Sequence, residues 1–225
     1  MKLFYMSVAF LVFSLSIYGQ LSIKCLPDKG IKYAKIEAKI ESENSQGNRN
    51  SKSQVVYYDA SGRVVLIDIE KDLRFHKRIY KDDRLQFMIT TSKKIPNFYS
   101  PKDLDSLMIY SEVVTDTAQV INYHSNGEVA ELELPDGTFQ LFEYKDCHSE
   151  KITFLNSDRD TTQQIQTIFE NNVVVKTIWS PFPLESSEVV TKYYDYKFNK
   201  HGHWTSRRYK RNRSVVNEKR ILKYY

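Results

Sequence analysis

Residues 118–144 read AQVINYHSNGEVAELELPDGTFQLFEY, and this stretch contains the pattern that decides the fold. Three segments of alternating apolar and polar side chains are separated by Ser125-Asn126-Gly127 and Pro135-Asp136-Gly137. Alternation with a period of two indicates half-buried strands, and Asn-Gly and Asp-Gly supply the positive φ angles of tight hairpin turns. The stretch therefore predicts two consecutive β-hairpins.

The same rhythm continues on both sides of this stretch. The chain has 16 Tyr and 12 Phe but only 7 Gly, a composition that favours strands. Including the strands of residues 118–144, the pattern predicts strands at Ala34–Ile40, Val55–Tyr58, Arg63–Glu70, Arg74–Tyr80, Leu85–Thr91, Met108–Val114, Ala118–Tyr123, Glu128–Leu134, Thr138–Tyr144, Ile152–Leu155, Gln163–Glu170, Val173–Trp179, Val189–Phe198, His203–Lys210 and Ser214–Tyr225. We therefore expect an all-β fold, an antiparallel β-meander that forms a curled sheet or an open barrel.

Two segments interrupt the strand pattern. Ser100 and Pro101, followed by Asp103, are typical of a helix N-terminus, so we expect one short helix or turn near residues 100–107. Residues 41–54 contain no apolar side chain and are expected to form a long polar loop. Residues 20–225 are otherwise expected to form a single antiparallel β domain.

The N-terminus has the layout of a secretory signal peptide. Lys2 precedes an apolar run from Leu3 to Tyr18, and the small residue Gly19 follows where a signal peptidase would cleave. Residues 1–19 are expected to be removed, with an uncleaved membrane anchor as the alternative. The mature chain has no second apolar run of membrane-spanning length, so the sequence predicts a periplasmic or secreted protein without a transmembrane segment.

Charge and cysteine content set further bounds. The formal net charge of +5 is too mild to indicate a nucleic-acid partner, least of all for an exported chain. Cys25 and Cys147 would lie in an oxidising compartment, where they would form one disulfide or stay as two unpaired thiols. Because Lys24 precedes Cys25, where a lipoprotein signal would have a small residue, we do not expect Cys25 to be lipidated.

Three segments share a local pattern of an aromatic strand end, a polar turn and a glycine, at residues 57–63, 123–128 and 194–202. This pattern resembles the bacterial YD-repeat proteins, also called Rhs repeats, whose units read Tyr-Asp-x-x-Gly-Arg before an apolar strand. Only residues 58–63 match the motif fully. The resemblance implies repeated β-hairpins in an exported or surface protein, and it implies no catalytic residues.

Candidate chemistry is sparse. His201 and His203 would lie on one face of a strand and are weak candidates for a metal site, with a solvated turn as the alternative reading. Asp146, Cys147 and His148 are sequence neighbours, which point to opposite faces of a strand, so a catalytic thiol is not favoured. Four glutamates are close together in the sequence, and we expect them to lie on the solvent-exposed face of an ordinary sheet; they are Glu128, Glu131, Glu133 and Glu143.

The C-terminal strands carry the most marked charge asymmetry of the chain. Cationic and aromatic side chains alternate there, a combination that suits anionic or sugar ligands; the candidate ligand-binding residues are Trp204, Arg207, Tyr209 and Arg211. Because Arg207 and Arg208 point to opposite faces of a strand, this run is also expected of an exposed edge hairpin protected against strand addition.

These observations favour a non-enzymatic module of the cell envelope or surface, which binds a glycan, an anionic polymer or another protein and needs no cofactor. The first alternative is a structural or assembly component of the envelope, which would show a long unpaired strand edge. The second alternative is a hydrolase that uses a metal or a pair of carboxylates. An exposed aromatic and basic patch around Trp204, Arg207 and Tyr209 would favour the binding module over both alternatives.

Overall fold

The computed structural model describes residues 30–41, 52–69, 74–94, 112–145, 148–182, 187–212 and 214–225. These residues form fourteen strands: β1 Ile31–Glu41, β2 Lys52–Tyr58, β3 Val64–Ile69, β4 Arg74–Lys81, β5 Arg84–Lys94, β6 Glu112–Tyr123, β7 Val129–Glu133, β8 Phe139–Lys145, β9 His148–Leu155, β10 Thr161–Glu170, β11 Val173–Pro181, β12 Val189–Phe198, β13 Trp204–Arg211 and β14 Ser214–Tyr224. The predicted signal peptide, both cysteines and the helix expected at residues 100–107 lie outside the described residues. Within the described ranges, no helix has the length and apolar content needed to cross a membrane.

Every strand pairs antiparallel with its sequence neighbours, and β1 pairs with β14 to close the sheet. The closing pair has a long register in which Ala34 lies opposite Leu222 and Ala38 opposite Glu218. The expected all-β antiparallel meander is confirmed, although it is a closed barrel rather than a curled sheet or open barrel. The basic hairpin β13–β14 is therefore not an edge hairpin, because β14 has a partner on each side.

The segment from residue 108 to 123 was expected to form two strands, and it differs from that expectation. β6 runs without interruption from Glu112 to Tyr123, paired with β5 from Lys94↔Glu112 to Phe87↔Gln119. Residues 115–117 lack a glycine or proline that would turn the chain, so the ladder continues through them.

Side chains alternate between a packed interior and an outer face. On β1, Ala34, Ile36 and Ala38 are buried, whereas the residues between them, Lys35 and Glu37, lie on the outside. Lys35 and Glu37 also approach each other on this outer face, at 3.5 Å.

The interior contains three apolar clusters. The largest joins strands β5 to β11 around Phe142, Leu132 and Ile165, each almost fully buried. A second lies where β1, β2 and β3 meet, and a third packs Tyr193 and Tyr209 against neighbouring strands. Burial of these side chains provides the main favourable free energy of folding.

Five hairpin turns share one backbone geometry. In each turn the N–H of the first residue bonds the carbonyl of the fifth, and the N–H of the fourth bonds the carbonyl of the first. The fourth residue has a positive φ angle, which favours glycine; it is Gly62, Gly127, Gly137, Arg159 or Gly202.

Antiparallel pairing of consecutive strands places successive connections at alternate ends of the barrel. One end, which we call the turn end, has the tight connections at residues 59–63, 82–83, 124–128, 171–172 and 199–203. The two ends of the described chain also meet there, since Tyr225 N–H bonds the Gly30 carbonyl at 3.2 Å. The β7–β8 and β9–β10 turns lie at the opposite end.

Candidate functional site

The four candidate ligand-binding residues of β13 do not form an exposed patch. Arg207 and Tyr209 are buried in the barrel interior, and Trp204 and Arg211 are half-buried. The alternation of β13 sends Arg207 inward because it lies opposite Glu218, an interior residue of β14. Whether any of the four contacts a ligand stays a prediction.

Arg207 is the centre of an interior network. Its Nε donates to Glu218 Oε2, and its Nη1 donates to the Tyr196 hydroxyl at 3.2 Å. Its guanidinium carbon lies 4.6 Å from the ring centroids of both Tyr193 and Trp204. A charge so far from water needs such partners, because an isolated buried ion costs several kcal/mol.

Arg220 extends this network to the seam that closes the barrel. It lies on β14 over the Trp204 ring, at 5.0 Å, and its Nη2 donates to the Tyr58 hydroxyl at 3.0 Å. Tyr58 belongs to β2, so this bond joins strands on the two sides of β1. The interior arginines thus stabilise the seam rather than a solvent-facing surface.

Burial changes the ionisation of the tyrosines around this network. Desolvation raises the pKa of Tyr193 to about 12, although the positive charge of Arg207 opposes the rise. Desolvation also raises the pKa of Tyr196 and of Tyr209. Burial alone would lower the pKa of Arg207, but Glu218, Tyr196 and Tyr193 together more than offset this effect and raise that pKa. At neutral pH the network therefore holds neutral phenols and a charged guanidinium.

The two candidate metal ligands belong to the β12–β13 turn. Asn199 Oδ1 accepts the backbone N–H groups of His201 and His203, and His203 Nδ1 lies 2.9 Å from the Tyr224 hydroxyl. The ring of His201 also packs on Tyr224, with centroids 5.0 Å apart. In the described part of the chain, no group of three His, Cys, Asp or Glu side chains is arranged to hold a metal ion.

The clustered carboxylates have separate environments. Glu143 and Glu131 pair with Lys151 and Arg159, each at 2.8 Å. Glu128 is buried and accepts a hydrogen bond from Asn126 Nδ2 at 2.9 Å. Glu133 is exposed on the outer face, so the four do not converge on one point.

A row of lysines on the outer face was not anticipated from the sequence. Lys176 on β11 lies opposite Lys192 on β12, and Lys192 lies opposite Lys210 on β13. Their neighbours in sequence, among them Thr177, Thr191 and Tyr209, are buried, so the three lysines share the outer face. Lys192 and Lys210 are exposed and Lys176 is half-buried. We call these three residues the lysine row.

Arg208 and Tyr194 adjoin the lysine row one step along β13 and β12. They lie opposite each other, and the guanidinium carbon of Arg208 is 5.8 Å from the Tyr194 ring centroid. Arg208 also approaches Asp195 Oδ2 at 3.5 Å in an exposed position. Each lysine of the row was present in the sequence, but only the register of three strands aligns them.

A row of basic side chains also lies inside the barrel, on β4. Arg74, His76 and Arg78 alternate with outward-facing residues, and His76 Nδ1 lies 2.8 Å from Thr90 Oγ1. Burial, with the positive charges of Arg74 and Arg78, lowers the pKa of His76 to about 4. His76 is therefore neutral at neutral pH.

The low pKa of His76 predicts a loss of stability in acid. In the unfolded chain His76 takes up a proton near pH 6.5, but in the folded barrel only near pH 4. Its contribution is therefore present above pH 6.5 and is lost as pH falls towards 4, by about 3 kcal/mol. Urea unfolding at pH 7 and pH 4 should show a smaller loss for His76→Asn than for the wild type. An identical loss in the two proteins would disprove the assignment, and His201→Asn, in an exposed turn, is the control.

Comparison with known proteins gives structural likeness only. The chain matches no protein-family model, and no curated protein sequence matches it. A porin-like protein from Bacteroides uniformis is similar with a TM-score of 0.46 and 11% identity, over 88% of this chain and 98% of that one. A DUF1329 family protein from Desulfovibrio piger is similar with a TM-score of 0.34 and 9% sequence identity, over 93% of this chain and 92% of that one. A LolA superfamily protein from Nitrosomonas europaea is similar with a TM-score of 0.31 and 7% sequence identity, over 94% of this chain and 93% of that one.

The suspected resemblance to the YD-repeat proteins is wrong. No family model matches the chain, and the three structures named above are of other kinds. The three matching segments coincide with turns of the shared geometry, at residues 59–63, 124–128 and 199–203. In each of them an Asp or Asn side chain accepts a backbone N–H group of the turn; these side chains are Asp59, Asn126 and Asn199. The turn geometry itself requires an Asp or Asn acceptor and a residue with a positive φ angle. Similar residues therefore occur at these turns although the segments are not copies of one repeat.

Proposed function

We propose that the protein is a non-enzymatic barrel that binds a linear anionic polymer on the outer face of β11–β13. The observation that supports this is the lysine row, in which Lys176, Lys192 and Lys210 lie directly opposite one another on three neighbouring strands. The predicted signal peptide would place the protein, and this polymer, outside the cytoplasm.

Like charges directly opposite each other on a sheet are destabilising. Neighbouring strands lie about 4.7–4.9 Å apart, which is shorter than the screening length of about 8 Å at physiological salt. The lysine row therefore repels itself in the free protein, and an anion laid across it would remove that repulsion. Arg208 adds a fourth cation beside the row.

The shape of the site favours a polymer over a small molecule. The row runs across strands on the outside of a closed barrel, where Lys192 and Lys210 are exposed and Lys176 is half-buried. Lysine carries a point charge on a flexible side chain, whereas arginine binds in a fixed bidentate geometry. Lysines can therefore contact repeating phosphate or carboxylate groups without requiring one exact spacing. Tyr194 beside Arg208 provides an aromatic surface within the same patch.

The alternatives receive less support from the described residues. A structural component that assembles through an unpaired edge is not favoured, since each described strand has two neighbours in the barrel. A hydrolase with two working carboxylates is not favoured either, because Glu218 is bound by Arg207 and the other clustered glutamates do not converge.

The test is the double variant Lys192→Glu/Lys210→Glu. We expect the wild type to bind polyphosphate or polygalacturonate, with an affinity that falls as salt rises. The variant should bind at least tenfold more weakly in a titration at low salt. Its stability to urea should stay close to that of the wild type, because Lys176 and residue 192 now attract each other while the two new glutamates, which lie opposite each other, repel as the lysines did.

The matched control is Lys77→Glu/Lys145→Glu, which makes the same change in net charge at exposed lysines of β4 and β8. This control should keep most of the wild-type affinity. An equal loss in both double variants, or no binding of either polymer by the wild type, would refute the proposal.

A further inference from the structure

Large apolar side chains are unevenly distributed over the accessible surface of the barrel, which includes Phe198 at the barrel mouth, where its ring stacks on that of Tyr196. The described chain exposes seven of them, and Phe75 is the one that lies at the start of β4, away from the turn end. The other six lie close to a turn-end connection or to the chain end there; they are Tyr57, Phe87, Ile121, Phe198, Ile221 and Tyr225. We call these six residues the apolar rim.

The apolar rim occupies two groups of strands at the turn end. Phe198 lies on β12, Ile221 on β14 and Tyr57 on β2, and Phe87 and Ile121 lie on β5 and β6, beyond the described strands β3 and β4, which carry no rim residue. Half-buried Tyr33 on β1 fills the step before β2, because its ring lies 6.1 Å from that of Tyr57. The rim is thus a discontinuous band at one end of the barrel, with one group of residues on β12 to β2 and another on β5 and β6.

Lysines accompany the aromatic residues of this band. Lys32 Nζ lies 5.9 Å from the Tyr225 ring centroid, and Lys223 Nζ lies 5.9 Å from that of Tyr33. Aromatic side chains with adjacent lysines are typical of the interface of a bilayer, where the ring enters the headgroup layer and the ammonium meets phosphate.

Three carboxylates near the apolar rim are paired with arginine. Arg63 binds both Asp59 and Asp83, each at 2.6 Å, and Arg208 approaches Asp195. Within the described ranges, Lys32 and Lys223 lie in no ion pair. The band therefore presents apolar surface together with unneutralised positive charge, which complements an anionic membrane surface.

We propose that the turn end of the barrel docks on an anionic lipid bilayer, with the apolar rim entering the headgroup region. Apolar contact and electrostatic attraction act together in such binding, and neither contribution alone gives a stable attachment. This surface is distinct from the lysine row, so it is independent of the proposed polymer site.

The test is flotation of the full barrel with vesicles. The wild type should float with vesicles of phosphatidylcholine and phosphatidylglycerol at 3:1 and much less with phosphatidylcholine alone. Phe87→Ser/Phe198→Ser should weaken binding at least tenfold, and Lys32→Glu/Lys223→Glu should do the same. Phe75→Ser removes an equally exposed aromatic side chain away from the turn end, and it should leave binding unchanged.

Three outcomes would overturn the proposal. The first is a wild type that does not float, and the second is an equal loss in Phe75→Ser and Phe87→Ser/Phe198→Ser. The third is flotation that depends on Lys192 and Lys210 but not on the rim, which would assign the lipid surface to the lysine row. A folded far-ultraviolet spectrum and an unchanged urea midpoint of each variant ensure that lost binding is not lost folding.

Discussion

Replacing Glu218 by leucine is expected to lower the free energy of unfolding by about 3–5 kcal/mol, because it leaves the Arg207 charge buried without its carboxylate. Both side chains are 5% exposed, and Arg207 Nε donates to Glu218 Oε2. The tyrosines around Arg207 have no negative charge to replace the lost one, since burial raises their pKa values. Urea unfolding at pH 7 measures the change.

The double variant Arg207→Met/Glu218→Leu separates the loss of the pair from the cost of an unpaired charge. Replacing a buried ion pair by apolar side chains of similar volume is often neutral or stabilising, so the double variant should recover most of the lost free energy. Arg208→Ala is the control one residue along β13, where the exposed contact with Asp195 contributes at most about 1 kcal/mol. A Glu218→Leu effect as small as that of Arg208→Ala would show that Arg207 does not point into the barrel.

Replacing Phe142 by alanine is expected to lower the free energy of unfolding by about 3–5 kcal/mol. Phe142 is 1% exposed and lies in the largest interior cluster, where its removal leaves a cavity beside Ile152 on β9. The strands around it are held by continuous ladders, so the cavity cannot collapse without breaking backbone hydrogen bonds. The midpoint and slope of a urea transition give the free energy.

The matched substitution is Phe75→Ala on the outer face of β4. Phe75 is 38% exposed, and its truncation should cost less than about 1 kcal/mol. Equal costs for the two substitutions would contradict the assignment of inner and outer faces in the barrel. This pair of variants therefore tests which of the alternating side chains face the interior, and both proposed surfaces depend on that assignment.

Individual strands could be predicted well from local pattern. Residues 189–198 were expected to form one strand, and β12 spans those residues. The turns were also predictable, since Asn126-Gly127 and Asp136-Gly137 carry both the acceptor side chain and the positive φ angle that the turn needs. Propensity and turn chemistry act between residues that are close in the chain, so they can be seen without the fold.

The candidate site was harder to predict, because its residues come from different strands. Arg207 was expected on an exposed patch, but it lies inside because Glu218 faces it across the β13–β14 ladder. Lys176, Lys192 and Lys210 are far apart in the sequence, and they form a row only through the β11–β12 and β12–β13 registers. A shift of one residue in either register would send a lysine to the interior.

The hairpins of residues 118–144 are therefore what the sequence determined by itself: a succession of antiparallel strands, joined by turns whose residues allow few other conformations. Tertiary structure alone decided that this meander closes, because closure joins β1 to β14 across nearly the whole chain. It also decided which of two alternating faces is buried and which cations come together outside. The physical reason is range, since a turn is specified within a few residues, whereas register and closure depend on the packing of all fourteen strands around one interior.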